Sequence, residues 1–276
     1  MNLRPPSIST IAFALFTTLL ASAGAHAGRS CEERKATPQT IEKGLTLAAQ
    51  ALAALDASGN KVVFLARAGQ DLTKYGVRHS HLGLAYRQGD AKGGHVWRVL
   101  HKLNQCGAST SAIYRQGLGE FFLDDLWRYE AAYVVPARDV QEQLLALIQN
   151  DELSLRMNHR PYSVVSYAWS TRYQQSNQWA IETLAMAMSP SPSATTRSQS
   201  QAWLQSRGYQ PTVLSIGPLA RLGGRLTAAN IAFDDHPPEK RYTDRIETVT
   251  VDSVFSWLER SGIGGRPVSI RLRVEP

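Results

Sequence analysis

Three side chains in this sequence have the types that acyl-transfer chemistry needs: Ser176, His81 and His101. The stretch Tyr173-Gln174-Gln175-Ser176-Asn177-Gln178-Trp179 reads as a loop ending where a helix with an apolar stripe begins. A serine there stands among exposed backbone N–H groups, at the positive end of the helix dipole, where an anionic nucleophile or intermediate is stabilised. A neighbouring imidazole must take the serine proton, and a further polar group must hold that imidazole in the right tautomer. His81 fits the base and His101 the orienting group, with Asn177, Trp179 and His79 as expected substrate contacts. Serine is also a preferred N-cap, worth about 1 kcal/mol with no chemistry at all. Either histidine could equally be a satisfied strand or core residue.

Other chemistry is weaker. His79 and His81, joined by His95 or His101, could form a three-histidine zinc site, but the spacing is not diagnostic and no metal or cofactor is expected. The adjacent carboxylates Asp124-Asp125 and Asp234-Asp235 invite a glycosidase reading, yet sequence neighbours point apart on a helix or strand. Trp97, Trp127, Trp169 and Trp179 fit a core better than a carbohydrate platform. The sequence has no phosphate-binding loop, dinucleotide fingerprint or Gly-x-Ser-x-Gly elbow, which removes kinase, dehydrogenase and ordinary serine-hydrolase readings.

The elements that must position these residues follow from periodicity. Pro38 to Asp56 predicts a helix, with Ile41, Leu45, Leu52 and Leu55 at helical spacing. Lys61 to Arg67 predicts a buried strand. Val77 to Arg87 predicts a strand with His79, His81 and Gly83 on one face, and Val96 to Leu103 a strand with His101 among apolar neighbours, the two joined as a hairpin. Leu118 to Asp125 suggests a short helix, Trp127 to Val135 a strand, Asp139 a cap for a helix through Ile148, then irregular chain before an amphipathic helix from Ser176 to Met188. A Pro/Ser-rich linker at 189–196 follows. Beyond it come a helix from Arg197 to Arg207, an extended run from Thr212 to Ile216, a strand from Ile246 to Val251, a helix from Asp252 to Arg260 capped at its start, and a strand from Val268 to Val274. This tail either packs on the first part or forms a small lobe.

Arg4, the apolar run Ile8 to Leu20 and the small residues ending in Ala25-His26-Ala27 predict a secretory signal peptide over residues 1–27, cleaved after Ala27. The run of about 13 residues is short of the roughly 20 needed to cross a bilayer. The expectation is a soluble periplasmic or secreted protein without an integral membrane segment after cleavage. The 30 basic and 23 acidic residues give a net charge of +7, a modest surplus that favours anionic envelope neighbours. No basic run or zinc-finger pattern supports a nucleic-acid partner. In an oxidising compartment the two cysteines, Cys31 and Cys106, are most simply one disulfide, closing a loop of about 75 residues for roughly 4 kcal/mol. A free Cys106 nucleophile is the alternative.

Several stretches resemble a family of secreted bacterial proteins known only as a domain of unknown function. They are Phe64-Leu65-Ala66-Arg67-Ala68-Gly69-Gln70-Asp71, Arg78-His79-Ser80-His81-Leu82-Gly83, His101-Lys102-Leu103-Asn104, the segment from Gly117 to Asp125, and the Ser176 helix start. That resemblance implies no activity. More distantly, His81-Leu82-Gly83, His101 and Gln175-Ser176 resemble the His-x-Gly strand, orienting residue and Asn-Cys helix start of circularly permuted papain-like hydrolases of the NlpC type. The resemblance implies an α+β fold in which an antiparallel sheet from about residues 61 to 136 packs on the Ser176 helix, with residues 28–188 as core and 197–276 as a C-terminal α/β extension. It implies an amidase, peptidase or acyl-transfer enzyme acting on an envelope substrate. Serine in place of cysteine is the departure, since a thiol ionises beside a histidine and a hydroxyl needs a base at the moment of attack. The alternative is a non-catalytic binding or assembly protein that keeps the cleft.

Overall fold

A computed structural model describes residues 36–124, 126–189 and 195–272. The expected leader, Cys31, Asp125 and most of the Pro/Ser linker lie outside these residues. In chain order come α1 (Pro38–Ala57), β1 (Val62–Ala68), a 3-10 turn (Thr73–Tyr75), β2 (His81–Gly89), β3 (His95–Asn104), β4 (Ser111–Gly117), α2 (Leu118–Leu123), β5 (Arg128–Val134), α3 (Arg138–Gln149), α4 (Asp151–Arg156) and α5 (Ser176–Ala187). The remainder is α6 (Arg197–Ser206), β6 (Thr212–Ser215), α7 (Pro218–Thr227), α8 (Pro238–Arg241), β7 (Arg245–Thr248), α9 (Val251–Arg260) and β8 (Val268–Arg271). Among the described residues this is a mixed fold of nine α-helices around a six-stranded antiparallel sheet ordered β4-β3-β2-β1-β5-β8, with β6 and β7 paired apart from it.

Strand alternation divides the sheet's side chains between two cores. Val63, Leu65, Ala85, Val99 and Trp97 pack under α1 and α2. Phe64, Ala66, Leu82, Leu84, Tyr86 and Leu100 pack against α3, α5, α6 and α9. α1 turns inward the small residues Gly44, Ala48 and Ala51 with Leu47 and Leu55, leaving Ile41, Leu45 and Leu52 partly in solvent. Gly44 explains the choice of face, since a Cβ there would stand 2.9 Å from the Phe122 carbonyl oxygen.

Several expectations are corrected. α5 is not amphipathic: all twelve residues are buried, because the sheet covers one side and α3, α6 and α9 the other. Trp179, expected to touch substrate, is wholly buried within that core. β2 starts at His81, so His79 lies in the connection before it and does not share its strand face. The Arg78 N–H is drawn to the Asp252 carboxylate, which diverts the chain there. β4 was not expected; it is an edge strand with few apolar residues. α4 forms where irregular chain was expected, capped by the Asn150 side chain. Asp139 lies inside the first turn of α3, and Thr250 caps α9. The tail is not a separate lobe throughout. β8 extends the main sheet beside β5, while α6 and α9 contribute Leu204, Val254, Phe255, Trp257 and Leu258 to the α5 core.

A buried charge ties these parts together. Glu182 of α5 is fully enclosed, and its carboxylate accepts from Arg197 Nε at 2.8 Å and Gln201 at 2.7 Å, and from Gln174. Arg197 also donates to the carbonyls of Ser170, Thr171 and Tyr173, the loop leading to Ser176. Removing one partner strands a charge in low dielectric. Arg197→Ala is therefore expected to lower the unfolding free energy by about 3–5 kcal/mol in urea titrations; a loss under about 1 kcal/mol would contradict this account.

Candidate functional site

The sheet loosens where the helix meets it. The β1–β2 pairing runs to Arg67↔His81 and the β3–β4 pairing to Asn104↔Ser111, whereas the β2–β3 register ends at Leu84↔Leu100 among the described residues. The first turn of α5 sits at this opening. The Ser176 hydroxyl donates to the Lys102 carbonyl of β3 at 2.7 Å, while the Asn177 amide lies 3.5 Å from the carbonyl oxygen of Ser80, just before β2. Gln175 is the N-cap, its side chain accepting from the Asn177 N–H at 2.8 Å, so Ser176 is free of capping duty. Burial raises the Tyr162 pKa, and the neighbouring hydroxyl and backbone of Ser176 oppose the rise.

On the α2 side of the sheet the two histidines meet. His81 Nε2 lies 2.8 Å from His101 Nδ1, and His101 Nε2 lies 2.8 Å from Gln116 Oε1 on β4. The Gln116 oxygen accepts, so the His101 proton is on Nε2 and its Nδ1 lone pair accepts from His81 Nε2–H. His101 is held neutral, its pKa lowered to about 4 by burial and then by the Arg67 charge, against the Gln116 bond and Asp124. Phe121 packs against both rings, at centroid distances of 5.9 and 5.2 Å, and the Arg67 guanidinium lies over the Phe121 ring, 4.6 Å from its centre. Gly83 permits the close approach, because a Cβ there would stand 2.6 Å from Val99 Cγ1 and 3.1 Å from His101 Cβ.

The structure thus brings His81 and His101 together and places Ser176 against the backbone of the residue after His101. Ser176 makes no hydrogen bond with either histidine, because α5 packs on the opposite face of the sheet, and the remaining candidates also lie apart. His79 is buried beside Phe255 and 3.8 Å from Glu130, and desolvation lowers its pKa. The Asn177 Oδ1 is buried without a hydrogen-bond partner among the described residues. His95 pairs with Asp56 at 2.9 Å on the sheet's far end, which disperses the possible zinc ligands. Asp124 is bonded to Arg67, Asp234 to Arg172 at 2.7 Å, and Asp235 to His236 at 3.0 Å, so these carboxylates serve ion pairs and hydrogen bonds. Lys102 is fully buried, donating to Asn158 Oδ1 at 2.6 Å and the His159 carbonyl at 2.8 Å, with burial pushing its amine down to about 7. Gln116, Tyr162 and Lys102 are the residues that sequence reasoning missed. Only the strand alternation of β4 could have pointed to Gln116.

Residues 54–258 match the family described as an uncharacterized protein conserved in bacteria, DUF2145. The chain belongs to this family. The match covers β1 to β7, both histidines, Gln116 and α5 of the DUF2145 fold. No curated protein and no solved structure matches the chain.

Two outcomes are expected. Gly83→Ala should cost about 1–3 kcal/mol through overpacking against Val99 and His101, read from thermal unfolding. The second concerns pH. An unfolded His101 titrates near 6.5 and the folded one near 4, so between these values only the unfolded chain takes up the proton. The stability from His101 is complete above about pH 6.5 and is lost as pH falls toward 4, by about 3 kcal/mol. His101→Gln should flatten that limb of the stability profile; an unchanged limb would rule His101 out as its source.

Proposed function

We propose that this DUF2145 protein is an acyl-transfer hydrolase of the bacterial cell envelope, an amidase or peptidase on a permuted papain-like fold. Ser176 is the nucleophile, His81 the base and His101 the orienting residue, with Gln116 fixing the far end. The observation that carries this reading is the series His81–His101–Gln116, which orients the two imidazoles. In the reaction, the Ser176 hydroxyl first leaves the Lys102 carbonyl, at a cost of about one hydrogen bond, roughly 1 kcal/mol. In this reading the start of α5 rearranges so that the hydroxyl reaches His81, since the histidine pair lies on the α2 side of the sheet. The oxygen attacks the acyl carbon as His81 takes the proton, the acyl–nitrogen bond breaks as that proton passes to the amine, and water then releases the acyl group from the serine. The first-turn N–H groups of α5 favour the negative charge that develops. The same reading places the mature chain outside the cytoplasm, starting at Gly28, with Cys31 bonded to Cys106.

A second reading, a binding or assembly protein without turnover, is favoured by one observation: the buried Ser176 hydroxyl is already held by the Lys102 carbonyl on the face of the sheet opposite the histidines. Activated acyl esters and acylating probes distinguish the two. Intact-mass analysis should show one adduct on wild type and none on Ser176→Ala, which should stay folded with a loss of about 1 kcal/mol for the Lys102 bond, and Ser176→Cys should react faster. Equal labelling of Ser176→Ala would remove the mechanism, while partner capture that survives this substitution would support the binding reading. For location and pairing, N-terminal sequencing of exported protein should begin at Gly28, and non-reducing peptide maps should join the Cys31 and Cys106 peptides.

A further inference from the structure

Far along the chain from the histidine pair, α7 has the sequence PLARLGGRLT and buries only Gly224. A Cβ at Gly224 would press on Ile231 at 3.3 Å, so the glycine sets how closely the helix lies on the chain that follows it. Leu219, Leu222 and Leu226 recur at i, i+3 and i+7, which puts them on one face. They are 85%, 56% and 77% exposed, and Tyr242 after α8 is 78% exposed. None of the three leucines belongs to an apolar cluster of the fold. A continuous stripe of this kind is a contact surface more often than an accident of composition.

The charge beside the stripe has one sign. Arg221, Arg225 and Arg241 line a shallow cavity of about 220 Å³ together with Leu222, Phe233 and Tyr242. Arg221 donates to the Arg241 carbonyl and lies 6.0 Å from the Phe233 ring centre, which fixes its guanidinium at the cavity wall. Residues 217–230 contain no Asp or Glu. The neighbouring carboxylate Asp244 accepts from the Ser215 hydroxyl. Guanidinium groups match phosphate oxygens in paired hydrogen bonds, and leucines on the adjoining face gain by entering an apolar layer.

We propose that α7 docks the protein on an anionic phospholipid surface, its leucine stripe entering the boundary between head groups and acyl chains and its arginine cavity taking a lipid phosphate. Short basic helices with such a stripe lie in the plane of the interface, held by apolar burial and by attraction to anionic lipid. Self-pairing of this face would set the arginines of two copies against one another, which is repulsive. The proposal stands independently of the Ser176 chemistry.

Vesicle flotation of the purified chain tests it, using phosphatidylcholine alone and phosphatidylcholine with about 30% phosphatidylglycerol. Binding is expected on the anionic vesicles, weakening with salt, and about ten-fold weaker for both Leu219→Asp/Leu226→Asp and Arg225→Glu, with melting temperatures unchanged. Equal binding to neutral vesicles, equal binding by the variants, or no binding would overturn it. So would titratable binding of inorganic phosphate without vesicle binding, which would mark a free-anion site. Lipid-independent dimers in sedimentation that the leucine variant disperses would overturn it in favour of self-association.

Discussion

The enclosed carboxylate of Glu182 is the constraint on which the rest of the architecture depends. A helix buried on every side has no solvent face on which to place a charge, so this one must be neutralised from within. Arg197 and Gln201 reach it from α6, and Gln174 from the loop before α5. Because Arg197 also holds three carbonyls of the 170–173 loop, the same cluster fixes the direction from which the chain enters α5. Ser176 stands where it does because a charge two turns further on is held from outside the helix.

The second determinant is the opening between β2 and β3. Paired strands use their backbone groups on each other, and a helix start offers only spare donors. Where the two strands stop pairing, the Lys102 carbonyl accepts from Ser176 and the Ser80 carbonyl faces Asn177. Yet the side chains at the same opening still approach closely enough for the two imidazoles to bond, because residue 83 is glycine. Backbone separation and ring contact thus coexist at one opening, and His81-Leu82-Gly83 supplies the second.

Much of this was legible in the sequence, and the failures have physical causes. Periodicity located α1, β1, β3, β5, α5, α6 and α9 because each carries a run of apolar residues with a clear period. β4 was missed because an edge strand half in solvent needs few apolar residues, and with it went Gln116, the outer support of His101. His79 was placed on the wrong face because local alternation cannot register the pull of Asp252, some 170 residues away, on the Arg78 backbone. The apolar spacing of α1 suggested Ile41, Leu45, Leu52 and Leu55 as one face, of which only Leu55 is buried, whereas Gly44, Ala48 and Ala51 with Leu47 make the closer approach. The pairing of His81 with His101 was readable as two strand positions; the commitment of the Ser176 hydroxyl to a carbonyl was not, since it depends on where a ladder ends.

The position of β8 has a consequence in time. Its residues 268–271 pair with Tyr133 to Glu130, so the sheet's outer strand bonds to partners more than 130 residues earlier. Contacts of such separation close late and slowly, because the entropy of a long loop must be overcome first. Until that closure, β5 presents an unpaired edge to any other strand it meets.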